Sequence, residues 1–315
     1  RLSARAVKAP MTCQTLPEFG QALVCAVPGT NSLGLTNASD TATVADGATA
    51  WEVNSLTFGS SAGSFTISST AGLKLYAGGI VQNDGSTQTI SAALALQADS
   101  FVSGSGSGAV TLSGIISGAY GLTKSTSGIL TLSGANTYTG ATVINAGSLS
   151  IASETGLGNN PSSFNAGQLT LDGGTLAPSA SFTIDDANRG ITIGSSGGTF
   201  NTGSNTLTLN SVVGGTGTLT KSGTGILVLG GSSAHTHTGN IAVTVGTLRV
   251  DNSVSNGAIG DTAAVTVSSG ATLSFNNGQS ETIGSLAGAG TVDNVNASAT
   301  TLTTGDSTNT VFSGV

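Results

Sequence analysis

This sequence carries very little charge. Only 7% of its 315 residues are Asp, Glu, Lys or Arg, compared with about 25% in a typical soluble domain. Ser, Thr, Asn and Gly take their place, so the surface is expected to be polar but nearly uncharged. The net charge is −7, with 8 Lys and Arg residues in all. This argues against nucleic acid as a partner, because phosphate binding requires clustered Lys and Arg.

Good helix formers and long apolar runs are also lacking. Gly alone occupies 48 positions, and Gly, Ser, Thr and Asn are poor in helix interiors but good in turns. No run of about 18 apolar residues occurs, so the sequence predicts no membrane-spanning helix. Because 37% of the residues are hydrophobic, the chain can still build a core, unlike a disordered chain. These features together predict ordered all-β structure.

Cysteine and proline are rare and concentrated at the start of the chain. Cys13 and Cys25 are the 2 cysteines, and three of the 5 prolines lie in residues 1–30. We expect residues 1–30 to form an N-terminal cap or docking arm, with residues 16–27 as a short helix or an irregular segment. A flexible processed terminus is the alternative. In an exported protein a disulfide between the two cysteines would contribute about 2–4 kcal/mol, whereas two free buried thiols are the other option.

Residues 31–315 form the predicted repeat domain. Between residues 56 and 265, pairs of apolar residues separated by one position recur about every 19 residues. Each pair is the core-facing half of a short strand, because side chains alternate faces along a strand. The short polar stretches between the pairs leave no room for crossover helices, which excludes α/β folds. An antiparallel sandwich is the other all-β option, but a fixed short period is typical of repeat architectures.

The pattern therefore predicts a single-stranded parallel β-helix, a solenoid of about fourteen coils that would be on the order of 70 Å long. The predicted core ladder includes Leu130, Leu132, Leu149, Ile151, Leu227, Leu229 and Leu248.

Two longer repeat blocks lie near residues 107–153 and 206–252. The segment GLTKSTSGILTLSGANTYTG of the first block returns as TLTKSGTGILVLGGSSAHTHTG in the second, which aligns Lys124 with Lys221. Repetition at this length predicts that one structural unit has been used twice.

These blocks resemble the autotransporter-associated β-strand repeat, whose pattern has the form GLTKxGxGxLxLSGxNTYTGxTxVxxGxL. Residues 121–149 match this pattern closely. Residues 218–248 match it with two departures: His235-Thr-His237 replaces Asn-Thr-Tyr, and Val245 replaces a small polar residue. The resemblance implies a right-handed parallel β-helix that bacteria export and display at the cell surface. The family's repeat carries no catalytic residues.

The densest charged cluster is Asp185-Asp186 with Arg189 close by. A polysaccharide lyase or glycoside hydrolase on a β-helix is the alternative function, and glycoside hydrolysis needs two carboxylates about 5–10 Å apart. Neighbouring residues on a strand face opposite ways, so this pair favours a turn. We therefore interpret the pair as a solvated corner, and Asp172 and Glu154 as isolated and exposed. The sequence predicts no enzyme activity and no cofactor.

The chain has 2 histidines, His235 and His237. At this spacing they could share one strand face and bind a transition metal. No Cys or carboxylate lies close to them in sequence, so we predict no metal site and interpret them as a variant of the Asn-Thr-Tyr loop.

These observations predict a non-enzymatic extracellular structural protein of bacteria, secreted or displayed at the cell surface. The rod would act as a filament subunit or as the stalk of an adhesin. A β-helix has open strand edges at both ends, so head-to-tail contacts that do not close would give a filament. Other cell-surface components, a glycan or a host surface are the alternative partners. The chain begins at Arg1 rather than Met, so we expect a processed or partial piece of a larger precursor.

Overall fold

The protein, analysed as a computed structural model, is an all-β parallel β-solenoid of about 11 turns with almost no helix. The predicted fold class is thus confirmed. The structure describes residues 12–15, 23–26, 32–35, 40–43, 50–276, 278, 280–295, 299–305 and 310–315, and only the backbone for the first four ranges and Trp51.

The strands are short, as the spacing of apolar pairs predicts. The first sixteen are β1 (Thr12–Thr15), β2 (Leu23–Ala26), β3 (Ser32–Leu35), β4 (Asp40–Thr43), β5 (Trp51–Phe58), β6 (Phe65–Ser68), β7 (Leu73–Gln82), β8 (Gln88–Ile90), β9 (Leu94–Leu96), β10 (Ser100–Ser103), β11 (Val110–Leu112), β12 (Ile116–Ser117), β13 (Leu122–Lys124), β14 (Ile129–Leu132), β15 (Thr142–Ile144) and β16 (Ser148–Ile151). The rest are β17 (Asn165–Leu171), β18 (Thr175–Pro178), β19 (Phe182–Ile184), β20 (Arg189–Ile193), β21 (Gly198–Asn201), β22 (Thr206–Leu209), β23 (Val213–Gly215), β24 (Leu219–Ser222), β25 (Ile226–Leu229), β26 (Thr236–His237), β27 (Ile241–Val243), β28 (Thr247–Val250), β29 (Ala264–Val267), β30 (Thr272–Phe275), β31 (Glu281–Ile283), β32 (Ser285–Gly288), β33 (Thr291–Asn294) and β34 (Leu302–Thr304). Among the described residues the one helix is a single 3-10 turn, Glu154–Leu157, and no helix is long and apolar enough to cross a membrane.

The chain divides into two compact units. The first comprises Arg1–Thr142, Ala146–Leu149 and Thr155–Asn159, and the second comprises Val143–Asn145, Ser150–Glu154 and Asn160–Val315. In the first unit one parallel ladder runs through β4, β6, β8, β11 and β14. A second contains β3, β5, β7, β9, β10, β12 and β13, and its pairs are also parallel.

The second unit contains three long parallel ladders, each named here by its first strand. The β17 ladder continues through β20, β23 and β26. The β18 ladder continues through β21, β24, β27, β29 and β32. The β19 ladder continues through β22, β25, β28, β30 and β33. Successive strands along the chain therefore belong to different ladders, and equivalent strands stack one coil apart.

The core consists of apolar side chains that stack in register along these ladders. In the β19 ladder, Leu207 is aligned with Leu227, and Leu227 with Leu248. Each such burial contributes about 1.5–3 kcal/mol. The structure places every predicted core-ladder residue inside, with 2% exposure or less: Leu130, Leu132, Leu149, Ile151, Leu227, Leu229 and Leu248.

The number of coils is smaller than the fourteen expected. Apolar pairs that follow one another in sequence do not always stack: Leu94 belongs to β9 and Val110 to β11, which lie in different ladders. The residues that stack on Val110 are Gln88 and Leu130, which are 22 and 20 positions away. Counting apolar pairs therefore overestimated the coils, because some coils contribute more than one pair.

The start of the chain has a different geometry. β1 and β2 form an antiparallel pair in which Cys13 is directly opposite Cys25. A helix over residues 16–27 is wrong for Leu23–Ala26, which form a strand. The side chains of both cysteines and the boundary near residue 30 lie outside the described residues. The disulfide and the cap over residues 1–30 therefore stay predictions.

Candidate functional site

Each repeat block buries one lysine. Lys124 and Lys221 are 1% and 0% exposed. The Nζ atom of Lys124 donates to the carbonyl oxygen of Thr126 at 2.7 Å and to its hydroxyl at 3.0 Å. A third bond reaches the carbonyl oxygen of Ala146 on the next coil at 3.0 Å. All three hydrogens of this ammonium group therefore have oxygen partners inside the protein.

The second repeat block repeats this arrangement. The Nζ atom of Lys221 donates to the carbonyl oxygens of Ser222, Gly223 and Val245 at 2.9, 2.7 and 3.0 Å. No carboxylate is among these partners, so the charge has only dipoles to stabilise it. Burial lowers the pKa of both lysines to about 8. Each lysine thus ties two coils together through backbone acceptors.

The side chain of an asparagine also links neighbouring coils. The Oδ1 atom of Asn136 accepts the backbone N–H of Ile116 at 2.9 Å. Its Nδ2 atom donates to the carbonyl oxygen of Gly156 at 2.8 Å. Asn136 therefore hydrogen-bonds to the coil before it and to the coil after it. Since the side chain is only 4% exposed, these bonds satisfy polar groups that would otherwise be buried without partners.

His235 takes the position of Asn136 in the second block. Its Nδ1 atom accepts the backbone N–H of Val213 at 3.1 Å, while its Nε2 atom is buried and has no hydrogen-bond partner among the described residues. Burial, with a smaller effect of His237, lowers the pKa of His235 to about 4. The Nε2 atom of His237 lies 2.8 Å from the carbonyl oxygen of Gly217. Both histidines therefore contact backbone, and no group of three or more His, Cys, Asp or Glu gathers within the described ranges.

Glu281 is a buried carboxylate that, like Asn136 and His235, accepts hydrogen bonds from backbone N–H groups. It is 2% exposed and accepts the backbone N–H groups of Ile259 at 2.9 Å and Ala258 at 3.4 Å. No basic side chain in the described part of the chain forms an ion pair with it. Burial raises the pKa of Glu281 to about 7; the two amide bonds oppose this rise and Asp261 adds to it.

Arg189 and Glu154 form a largely buried ion pair. The Arg189 side chain is 0% exposed, and its Nε atom donates to the Oε1 atom of Glu154 at 2.9 Å. Its Nη2 atom donates to Asn160, and the backbone N–H of Asp185 donates to the Oε2 atom of Glu154 at 3.2 Å. The expectation that Glu154 is isolated and exposed is wrong, because its side chain is paired and 14% exposed. Burial raises the pKa of Glu154, and the Asp185 amide and Arg189 oppose that rise.

Asp185 and Asp186 lie in the turn between β19 and β20, at a corner as predicted. The Oδ1 atom of Asp186 accepts the backbone N–H of Asn188 at 2.9 Å, and its carbonyl oxygen accepts the hydroxyl of Ser211 at 2.9 Å. Within the described residues, no donor pairs with the carboxylate of Asp185. The two carboxylates therefore differ: Asp186 shapes the turn, and Asp185 is left to face solvent.

Asp185 lines a groove of about 400 Å³. The groove lies at the corner between the β19 and β17 ladders and extends over four successive coils. Its volume falls within the range of about 300–1,000 Å³ that is typical of small-molecule sites. The lining residues are Asp185, Ala187, Asn210, Val212, Gly231, Ser232, Ser233 and Ser253.

The groove results from unequal loop lengths on neighbouring coils. Residues 210–212 join β22 to β23, whereas residues 230–235 join β25 to β26 and residues 185–188 join β19 to β20. The shortest loop lies on the coil between those of the two longer loops, so we refer to it as the floor and to the longer loops as the walls. Gly231 has a φ of 93°, and a Cβ atom there would overlap the carbonyl oxygen of Asn210. The long loop can pass this close to the floor because residue 231 is glycine.

Side chains outside the groove hold both walls in place. The Nδ2 atom of Asn252, which is 0% exposed, donates to the carbonyl oxygens of Gly230 and Ser233 at 3.0 and 2.9 Å. On the opposite wall, Glu154 holds the backbone of Asp185. The groove is therefore preorganised by side chains that do not line it.

A family model for the passenger-associated-transport-repeat matches residues 122–151 and 219–250. Two segments of the chain thus match this repeat. The resemblance to autotransporter repeats is thus confirmed, and the two matched ranges contain Lys124 and Lys221 with their acceptors Ala146 and Val245.

The chain is also similar to the adhesin BmaC autotransporter of Brucella suis biovar 1 (strain 1330). The two are 38% identical over 150 residues, which is 48% of this chain. The matched segment spans 4% of that relative's length. No solved structure matches the chain.

The passenger-associated-transport repeats contain features that the sequence reasoning missed. The burial of Lys124 and Lys221 did have a signal: each follows a leucine by two positions, as Leu122-Thr-Lys and Leu219-Thr-Lys. Period-two alternation places the leucine and the lysine on the same face of a strand. No local sequence pattern indicated the groove. Its walls come from two separate parts of the chain, the second repeat and residues 185–188, which precede that repeat.

Proposed function

We propose that this chain is part of the extracellular passenger of a bacterial surface protein, in which the β-solenoid acts as the stalk of an adhesin. The observation that carries the proposal is the coincidence of the two passenger-associated-transport repeats with coils that are tied together by Lys124 and Lys221. The similarity to an autotransporter adhesin supports the same role. A surface with few charges suits stacked coils, because like charges about 4.8 Å apart would repel.

Surface display is tested on intact cells of the bacterium that encodes the chain. Antibodies against the purified chain are expected to label unpermeabilised cells, and external protease is expected to remove the label. A cytoplasmic protein labelled in parallel serves as the control for cell integrity. Labelling that appears only after permeabilisation would contradict the proposal.

We propose that the stalk is non-enzymatic. The charged corner supports this, because Asp186 is engaged in its own turn and the groove is lined by one carboxylate, that of Asp185. Hydrolysis of a glycoside requires an acid and a second carboxylate across the bond. Incubation with neutral and acidic polysaccharides is expected to release no reducing ends or unsaturated products. Turnover that disappears on Asp185→Asn would instead establish a polysaccharide-active enzyme.

Self-association is a separate proposal. Unpaired strand edges of parallel ladders can accept further strands, so head-to-tail contact between copies would extend the ladders. Electron microscopy of the purified chain is expected to show filaments that lengthen with concentration. Particles that stay monomeric at all concentrations would leave the stalk proposal intact but remove the filament.

A further inference from the structure

Four side chains in the groove have unused hydrogen-bonding capacity. The carboxylate of Asp185, the amide of Asn210 and the hydroxyls of Ser232 and Ser233 line it without partners among the described residues. They come from loops on three successive coils, so they approach the groove from different sides. A carboxylate accepts hydrogen bonds, an amide both donates and accepts, and hydroxyls do both.

This set of groups fits a ligand with closely spaced hydroxyls. Vicinal hydroxyls of a sugar ring can donate to a carboxylate and pair with an amide at the same time. The side chains of Val212 and Ala187 add a small apolar surface that the C–H face of a ring can cover. Small-molecule sites typically combine an apolar surface with a few polar groups fixed in position.

The charges at the groove favour a neutral sugar over an acidic one. Asp185 would repel a uronate or sialate carboxylate. The guanidinium of Arg189, four residues along the chain from Asp185, is 0% exposed and already paired with Glu154, so it cannot balance such a charge.

A divalent cation fits less well. Calcium takes six to eight oxygen ligands, commonly including several carboxylates. Asp185 is the one acidic residue among those that line the groove, and no group of three acidic, histidine or cysteine residues occurs in the described ranges.

We propose that the groove binds a neutral saccharide of one or two rings, with Asp185 accepting hydrogen bonds from its hydroxyls and Asn210 fixing its orientation. The groove needs little reorganisation on binding, because Asn252 and Glu154 already hold the walls. The inference rests on the proposed adhesin role for its biological setting only. Binding to the purified chain is measured without a cell, so failure of one proposal is distinguishable from failure of the other.

The test is binding of the purified full chain to an array of neutral gluco-, galacto-, manno- and N-acetylglucosamine oligosaccharides, with acidic oligosaccharides alongside. Isothermal titration then gives Kd for the neutral compounds that bind. Asp185→Asn and Asn210→Ala are each expected to weaken binding at least tenfold, since each removes a hydrogen-bond partner of the bound saccharide's hydroxyls. Asp261→Asn is the matched control, because it makes the same change of charge at an exposed residue outside the groove.

Thermal melts show whether each variant is folded, and both groove positions are exposed, so melting temperatures are expected to be unchanged. The proposal is overturned if no neutral saccharide binds, if acidic ones bind better, or if both groove variants bind as the wild type does. Titration with Ca²⁺ alone is expected to show no binding. Calcium binding that is lost in Asp185→Asn would replace the saccharide site with a cation site.

Discussion

The Nζ atom of Lys124 and the carbonyl oxygen of Ala146 lie 3.0 Å apart across two consecutive coils. Lys221 and Val245 repeat this bond at 3.0 Å. A buried ammonium group without a carboxylate is costly, yet both passenger-associated-transport repeats contain one. The cost is offset because the three donors of each ammonium group all reach oxygen acceptors at a corner of the coil.

Lys124→Met is expected to lower the free energy of unfolding by about 2–4 kcal/mol. Each buried oxygen that loses its donor costs about 1–3 kcal/mol. Part of this loss is offset because the variant no longer has to bury an ammonium group. Lys74→Met is the matched control. Lys74 is 41% exposed and pairs with Glu52 at the surface, where ion pairs contribute little. Urea unfolding followed by circular dichroism measures the free energy of unfolding of both variants. An equal loss in the two variants would contradict the role of Lys124 in linking coils.

Glu281→Gln is expected to stabilise the protein at alkaline pH. Glu281 has a folded pKa of about 7 against an ordinary value of 4.5. Between these values the folded state binds more protons, so stability falls as the pH rises and the full penalty is present above pH 7. The variant removes a penalty on the order of 3 kcal/mol and keeps an oxygen for the Ile259 amide.

The measurement for Glu281→Gln is the free energy of unfolding at pH 4.5 and pH 8. The wild type and the variant are expected to have nearly equal free energies of unfolding at pH 4.5, whereas at pH 8 the variant is expected to be more stable. Glu52→Gln, at a partly exposed glutamate that pairs with Lys74 at the surface, controls for the loss of a negative charge. A constant difference across the range would show that Glu281 does not titrate there.

His235→Asn is expected to make the stability of the protein less sensitive to acid. The pKa of His235 is lowered to about 4 from 6.5, so the unfolded state binds more protons between these values. The contribution to stability is complete above pH 6.5 and is lost as the pH falls towards 4. Asparagine can accept the Val213 amide, as Asn136 does in the first repeat with Ile116.

Thermal melts of His235→Asn from pH 7 to pH 4 are expected to show a growing advantage over the wild type. His235→Ala serves for comparison at pH 7: it leaves the Val213 amide unpaired and is expected to lose about 1–3 kcal/mol. Parallel pH curves for wild type and His235→Asn would show that His235 is not the responsible group.

Leu132→Asp is expected to unfold the first unit, since it places a charge without a partner at a position that is 2% exposed and aligned with Leu112. Such substitutions cost more than about 4 kcal/mol. Thr131→Asp changes the neighbouring residue, whose side chain points to the other face of the same strand, and is expected to stay folded. Far-UV circular dichroism distinguishes the two, and an unchanged melt of Leu132→Asp would refute its place in the core.

The sequence predicted the elements of this fold better than their assembly. Apolar pairs such as Leu227 and Leu229 identified strands and their buried faces because alternation is local. Assignment of those strands to ladders depends on coil length, which varies with each loop. The contact of Arg189 with Glu154 joins residues 35 positions apart, so no local pattern indicated it. The groove likewise required the register of four coils to be known first.

The loop of residues 230–235 has a consequence for how such proteins diversify. The paired strands of the β19 and β17 ladders hold neighbouring coils together on either side of this loop, and Gly230, Gly231 and His235 within it add further backbone bonds to adjacent coils. Insertions on a surface loop add little closure entropy. A new ligand preference could therefore arise by lengthening or grafting one corner, while the scaffold beneath it stays the same.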